Sequence, residues 1–519
     1  MIQALTPIFF GSWPLPVDLW GGDSVIRDIN QFEKKQYDLL VIGGGINGAS
    51  IANLSARAGI KTALLEKGDF ASGTSSKSTK LIHGGLRYLE NLEVDLVYES
   101  LKERKVQLAV APHLVQPLEF LISVYQGDRR PLWMMRLGVF LYDLIAGPYR
   151  IKRHKALNAT EVLRLEPGLQ RKGLKGGVVY YDAQMDDARL CLENVLSASE
   201  AGAHAANYAE VKEYLKENGR VIGVKARDHI GNRNFEVHAK KVVVAVGPWT
   251  DKLLKLDDLR APQKVRTTQG IHIVYKDKLS GRALFVPSQS DKRIFFVIPW
   301  LGHSLIGTTD TDYVGDPDRV KVSPDDVEYL MRETRRVFPE LDMSPRKILS
   351  TFSGLRPLVR KGGSASKVSR KHLFYETPSG LIFVVGGKYT TYRAVAESCL
   401  KKIFKRKTWP FALCDRGKSP GSVDDVARSF NLEPETVHSL FGIYGGRVQD
   451  VLVMIAKEPR LKEKVSFDPP VIKAQLLYAV QKEMACTVED ITDRRLSLGY
   501  LGPVPEGVLA AIRDVLPQT

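Results

Sequence analysis

The sequence predicts an α/β fold: a parallel sheet gathered from separated stretches of chain, an inserted antiparallel domain and a helical C-terminal segment. Three observations predict it. An apolar run, Leu39–Ile42, leads into a glycine-rich turn and then a helical stretch. Two more apolar runs, Lys241–Gly247 and Leu381–Gly387, end in glycine far along the chain. All three have the composition of parallel strands buried on both faces. Between the last two, Val265–Tyr275, Arg293–Pro299 and His303–Gly307 alternate or run apolar in the manner of an antiparallel sheet.

The first turn carries Gly43, Gly45 and Gly48 in the order G-x-G-x-x-G. The first glycine permits the tight turn, the second lets backbone approach a pyrophosphate, and the third lets the helix pack on the strand. A helix is predicted from Asn47 to Gly59, and a second strand, Lys61–Leu65, closes on Glu66. An acid there accepts ribose hydroxyls, so this is the Rossmann-like dinucleotide fingerprint. The helix N-terminus offers free N–H groups and its dipole to the phosphates. A carboxylate at 66 makes NADP, with its 2′-phosphate, the least expected ligand.

Further elements follow in order. A polar loop runs from Lys67 to Lys80, and an amphipathic helix from about Leu92 to Ala109. Residues 119–177 mix short strands with helix and read as an insertion. Helices are predicted over Ala188–Gly202 and Pro324–Phe338, and another runs from the third glycine turn to about Lys407. Residues 413–423, rich in Gly, Ser and Pro, read as a linker. The expected domains are an N-terminal arm (1–35), a Rossmann-like domain from 36–110, 178–260 and 350–412, a substrate domain from 111–177 and 261–349, and a helical domain over 424–519. Large flavoproteins are assembled from separated segments in this way. Simple nicotinamide dehydrogenases usually keep the dinucleotide unit contiguous.

Composition narrows the class. The 519 residues hold 75 Lys and Arg against 59 Asp and Glu, a net charge of +16, which favours anionic partners. No aromatic or cysteine module for RNA stands out, so nucleic acid is not expected. Cys191, Cys399, Cys414 and Cys486 are widely spread, which fits a reducing compartment rather than a disulfide framework. No metal-ligand cluster and no apolar run long enough to span a bilayer are found. Met1–Asp23 is apolar and aromatic (Phe9, Phe10, Trp13, Trp20) and lacks Lys and Arg. It reads either as an arm on the fold or as an interfacial foot. The Lys401–Lys407 cluster is explained by charge at a helix C-terminus, with a lipid patch as the alternative.

The stretch Thr74–Leu89 resembles the signature of FAD-dependent glycerol-3-phosphate dehydrogenases. The resemblance continues through Gly247-Pro-Trp249, Gly270-Ile-His272, Ile298-Pro-Trp300, Gly307–Asp310, Ser353–Pro357 and Gly386–Arg393, covering about residues 36–400. Glu483–Leu498, with Asp493-Arg-Arg495, is similar to the helical cap of that family. The resemblance implies oxidation of sn-glycerol 3-phosphate to dihydroxyacetone phosphate, with FAD taking the hydride and a membrane quinone receiving the electrons. An oxidase of the same family, using oxygen, is the nearest alternative, and a flavin-dependent RNA-modifying protein is a more distant one.

By the same resemblance Arg87, Arg356 and Arg370 clamp the phosphate, and Tyr88 adds a hydroxyl. Lys388 reaches flavin and substrate together. His83 and His272 are the candidate bases, Lys388 is a rival base, and Arg356 completes the catalytic set. Non-covalent FAD is expected on Gly43, Gly45, Gly48, Glu66, Thr74, Ser75, Lys80, His83, Gly247, Gly387 and Thr390. His83 is expected to orient the flavin ring. Peripheral attachment to the cytoplasmic face of an inner membrane is implied, with an anionic membrane surface as partner and a homodimer allowed.

Overall fold

A computed structural model of the chain describes residues 27–91, 93–291, 293–360, 372–413 and 421–517, without the side chains of Arg87, Glu90 and Asn91. The first sheet forms around Gln36–Ile42. Thr62–Leu65 and then His204–Ala206 lie on one side of it; Arg233–Val244, Leu381–Val385 and the edge strand Leu373–Glu376 lie on the other. All these pairs are parallel except the last, which is antiparallel. Leu39, Leu40 and Val41 are fully buried because both faces are covered.

On one face Leu39 and Val41 pack with residues of the helices Ile46–Arg57, Asp187–Glu200 and Tyr392–Phe404. On the other, Leu40 and Ile42 pack with Phe235 of Arg233–Val244 and with Tyr214 and Val224 of an antiparallel layer, Ala209–Glu217 and Arg220–Asp228, which pairs with the Arg233 end of that strand. The central strand has Thr62–Leu65, its successor in the chain, on one side and the distant Arg233–Val244 on the other. The carboxyl ends there open a crevice, the usual ligand position in such sheets.

The second sheet has ten strands and is mixed. Its path runs Thr311–Asp312, Val265–Tyr275, His303–Gly307, Ile294–Trp300, Ala283–Pro287, Val115–Tyr125, Leu174–Met185 and Leu81–Ile82. Ala283–Pro287 pairs in parallel with Val115–Tyr125, and the other pairs are antiparallel.

Two expected domain seams move. The seam at 178 falls inside Leu174–Met185, which pairs with Val115–Tyr125 along its length. Gly177 looks like a break in sequence, yet it sits in the strand because a Cβ there would come within 2.7 Å of the Ile122 carbonyl. The seam at 350 falls inside Ile348–Val359, which pairs with Val265–Tyr275. Both strands carry residues from the second sheet back towards the first, which is how the two sheets share one cavity.

The C-terminal region contains the helices Val423–Phe430, Pro434–Tyr444, Val448–Lys457, Lys473–Gln481 and Glu506–Val515, with a small hairpin, Lys464–Phe467 and Pro470–Ile472. Buried ion pairs fix it to the first domain. Arg494 and Arg495 both donate to Asp69, Arg495 at 2.7 and 2.9 Å. Arg189 meets Glu483 at 2.7 Å, and Arg447 meets Glu193 at 2.9 Å. Burial alone would raise the Asp69 carboxyl, but Arg495 and Arg494 outweigh it and hold it below the usual range.

Candidate active site

A single cavity of about 1220 Å³ runs from the first glycine turn to the second sheet. Its nucleotide end is built by close backbone packing. Gly43 has φ +107°, and a Cβ there would lie 2.6 Å from the Ala245 carbonyl. A Cβ on Gly48 would lie 1.9 Å from the Gly43 carbonyl, so only glycine lets the helix seat against the turn. Gly45 differs: its Cβ would meet Ser75 Oγ at 3.1 Å and no other protein atom within 4 Å. That open space beside a helix N-terminus is where a pyrophosphate would lie.

Glu66 stands at the end of Thr62–Leu65 and accepts from Gly44 N–H at 2.6 Å and Gly68 N–H at 2.8 Å. Burial raises its carboxyl above the ordinary value, opposed by those two donors. Its oxygens keep acceptor capacity towards the cavity they line. Gly247 and Trp249 line the opposite wall, Trp249 Nε1 donating to Asp318 at 2.8 Å. Gly387 and Thr390 line the middle. Thr390 Oγ1 accepts from His83 N–H at 3.2 Å, which ties the third glycine turn to the loop bearing His83.

The loop at 74–80 uses its hydroxyls to join the two domains. Ser75 Oγ accepts from Ile46 N–H at 2.9 Å. Thr74 Oγ1 donates to the Leu355 carbonyl at 2.6 Å, and Thr79 Oγ1 lies 3.0 Å from His272 Nε2. Lys80 departs from the expectation of a cofactor contact. Its amine is buried behind the wall, donates to the Ser76 carbonyl at 2.8 Å and pairs with Asp187. A buried ammonium needs such partners, and Asp187 at the start of its helix supplies the charge.

At the far end two predicted residues lie close together, and a third lines the same cavity. His272 comes from Val265–Tyr275 and Arg356 from Ile348–Val359, the paired strand beside it. His272 is 2% exposed, stacks on Phe352 at 4.9 Å and leaves Nδ1 without a hydrogen-bond partner among the described residues. Burial, then Arg356, then Lys80 push its pKa well below 6.5, so the ring is neutral. Gly307 makes room for it, since a Cβ there would lie 2.4 Å from His272 Cδ2.

The Arg356 guanidinium donates to Thr308 Oγ1 at 2.8 Å, to the Thr309 carbonyl at 3.2 Å and to Asp310 at 3.2 Å. Gly270 gives it space: a Cβ there would lie 2.5 Å from Nη2. Lys388 enters from the third glycine turn. Its amine sits 3.6 Å over the Tyr88 ring and 3.5 Å from Ser100 Oγ. Tyr88 and His83 line the same cavity. Arg370 and the side chain of Arg87 lie outside the described residues.

Lys77 was missed as a site residue. It lines the cavity, and its amine donates to the Tyr500 hydroxyl at 3.1 Å. Burial lowers it to about 8, with Asp493 opposing and Lys80 assisting. Tyr500 packs on Phe352 at 5.2 Å, so the C-terminal region supports the wall behind His272. Lys77 and Tyr500 are separated by 423 positions, and no local pattern links them.

Comparison with known proteins agrees with this architecture. Residues 38–393 match the family model for FAD dependent oxidoreductases, and residues 412–518 match the C-terminal domain of alpha-glycerophosphate oxidase. A glycerol-3-phosphate dehydrogenase of Synechocystis is 40% identical, covering 92% of this chain and 91% of that protein. The aerobic glycerol-3-phosphate dehydrogenase of Staphylococcus aureus is 36% identical, covering 93% and 88%. The structure of a glycerol-3-phosphate dehydrogenase from Bacillus halodurans complexed with FAD superposes with a TM-score of 0.75 at 30% identity, covering 94% of this chain and 90% of that one. With the glycine turn, Glu66 and the His272–Arg356 end in one cavity, the chain belongs to the FAD-dependent glycerol-3-phosphate dehydrogenase family.

Proposed function

We propose that the enzyme oxidises C2 of sn-glycerol 3-phosphate to dihydroxyacetone phosphate and passes the electrons to a membrane quinone. The observation that carries the reading is a neutral histidine and a fixed guanidinium at the end of the cavity whose other end is the dinucleotide turn. FAD, when bound, supplies the acceptor for the hydride leaving C2.

The protein's own groups do the rest. Arg356, oriented by Thr308 and Asp310, holds the phosphate as a planar charged donor. His272 Nε2, beside the rotatable Thr79 hydroxyl, takes the C2 hydroxyl proton as the hydride departs. Lys388 adds positive charge from the third glycine turn and, with Tyr88, bounds the substrate end.

Three points support quinone as acceptor. Relatives of high coverage are called dehydrogenases, one of them aerobic. The basic surplus favours anionic lipid. Among the described residues no helix is long and apolar enough to cross a membrane, which suits peripheral attachment at the cytoplasmic face of an inner membrane. Anaerobic titration with glycerol 3-phosphate should bleach the flavin. Stopped-flow mixing of the reduced enzyme should then give faster reoxidation by a soluble quinone analogue than by oxygen. The reverse order would make it an oxidase.

A further inference from the structure

The helix Leu132–Ala146 buries one stripe and leaves an apolar one outside. Met135, Val139, Tyr142 and Ala146 face inward and pack with Leu101, Phe120 and Tyr180. The outer stripe is Trp133, Met134, Leu137, Phe140, Leu141 and Leu144, with exposures of 64, 42, 48, 51, 41 and 65%. These positions recur with the helical period, so they form one continuous face. Six large apolar side chains in a single exposed patch mark an interaction surface.

The flanks are mostly basic, and Asp128 is turned to the Tyr125 N–H at 2.8 Å. Arg129 and Arg130 precede the helix, Arg136 lies on it, and Arg150, Lys152, Arg153 and Lys155 follow it. The one acid between 129 and 155 is Asp143, which is buried and bonded to His154 at 2.7 Å. Tyr98 and Tyr149 meet edge to face at 5.5 Å beside the C-terminal end. Aromatic rings and basic side chains bordering an apolar strip are the layout of a helix lying at a bilayer interface.

We propose that this helix is the membrane foot: its outer stripe enters the headgroup–acyl boundary of an anionic bilayer, and the flanking bases meet lipid phosphates. A second copy fits less well, because a self-complementary contact would bring two basic rims together. The assignment rests on the membrane-quinone reading above and gives it a location. It makes the basic end at Lys401–Lys407 a secondary contact at most; the Met1–Asp23 arm lies outside the described residues.

The position suits the chemistry. The Tyr142 hydroxyl, from the inner stripe, donates to Asp182 at 2.8 Å, and Asp182 also accepts from Gly84 N–H at 3.0 Å. Asp182, Gly85, Leu86 and Tyr88 line the cavity. The foot is therefore one side-chain layer from the active site, a short route for a lipid-borne acceptor.

The test is co-sedimentation of the full-length holoenzyme with phosphatidylcholine vesicles containing one quarter phosphatidylglycerol. The L137E/L144E double variant should bind about tenfold less, with FAD content and activity towards a soluble dye held within about twofold. R150Q/K152Q/R153Q should bind normally at low salt and release at moderate salt. W133K, a milder change, keeps the test valid if the double variant misfolds.

Failure of the wild type to bind, or full binding by both apolar variants, would overturn the proposal. So would a change from dimer to monomer in L137E/L144E with vesicle binding intact, which would give the face to a second copy. Helix-dependent binding combined with no reaction towards quinone would leave the foot standing and remove only the acceptor reading.

Discussion

Replacing Arg356 with alanine should separate the proposed phosphate recognition from everything else the site does. The guanidinium is held by Thr308, Thr309 and Asp310 over the space that Gly270 leaves open. The Arg356–Asp310 pair is about one quarter exposed on each side (24% and 26%), so it contributes little to folding, on the order of 0–1 kcal/mol. A charge-assisted clamp on a phosphate dianion is larger, and losing it should cost roughly 2–5 kcal/mol of transition-state binding. At about 1.4 kcal/mol per tenfold, kcat/KM for glycerol 3-phosphate should fall by about thirtyfold to several thousandfold. For glycerol, which has no phosphate, it should change by less than about threefold. The assay is steady-state dye reduction with both substrates, alongside FAD content. Equal losses for the two substrates, or loss of FAD, would show that Arg356 serves the fold and would refute the clamp.

Other outcomes follow from the same geometry. Gly45→Val should abolish FAD retention, because its side chain would enter the space kept clear beside Ser75; native flavin should leave the wild-type polypeptide on acid precipitation, as non-covalent binding requires. Lys77, lowered to about 8, loses its charge as pH rises through that value, so kcat/KM for the anionic substrate should decline on the alkaline side and Lys77→Arg should remove the decline. His272→Ala should lower kcat by about 10²–10⁴-fold, and an unchanged kcat would pass the role of base to Lys388. His272 also titrates below its unfolded value of 6.5, so the stability it allows is present above that pH and is lost as pH falls towards the folded value; melting of the wild type should drop more steeply below about pH 6.5 than that of His272→Gln.

Local signals in the sequence carried much of the architecture. The three glycine-ended runs do lie parallel, with Leu39 beside Lys241 and Val242 beside Leu381. The strand Val265–Tyr275 and the histidine on it stand where alternation put them. Each of those inferences needed only neighbours in sequence. The seams at 178 and 350 failed because a strand that passes between domains carries no mark of the passage. The layer Ala209–Asp228 was not foreseen, since its strands are half exposed and their apolar alternation is weak. Lys80 was misread because a motif says that a residue is near a ligand and not which way it points. Lys77 and Tyr500, and the outer stripe of Leu132–Ala146, depend on what the folded chain places beside them, or leaves uncovered.

The ion pairs under the C-terminal region have a consequence for how the molecule comes apart. Asp69, Glu483 and Glu193 are almost wholly buried, and each finds its counter-charge across the junction. Lifting the helices away would strand each as a lone charge, and breaking a buried pair in that way costs about 3–5 kcal/mol. A half-opened molecule, with the flavin domain intact and the helices detached, therefore lies high in free energy. Heating should give one calorimetric transition in which flavin release and loss of the C-terminal helices coincide, and the helical region behaves as a fixed wall of the active site, not as a hinged cover.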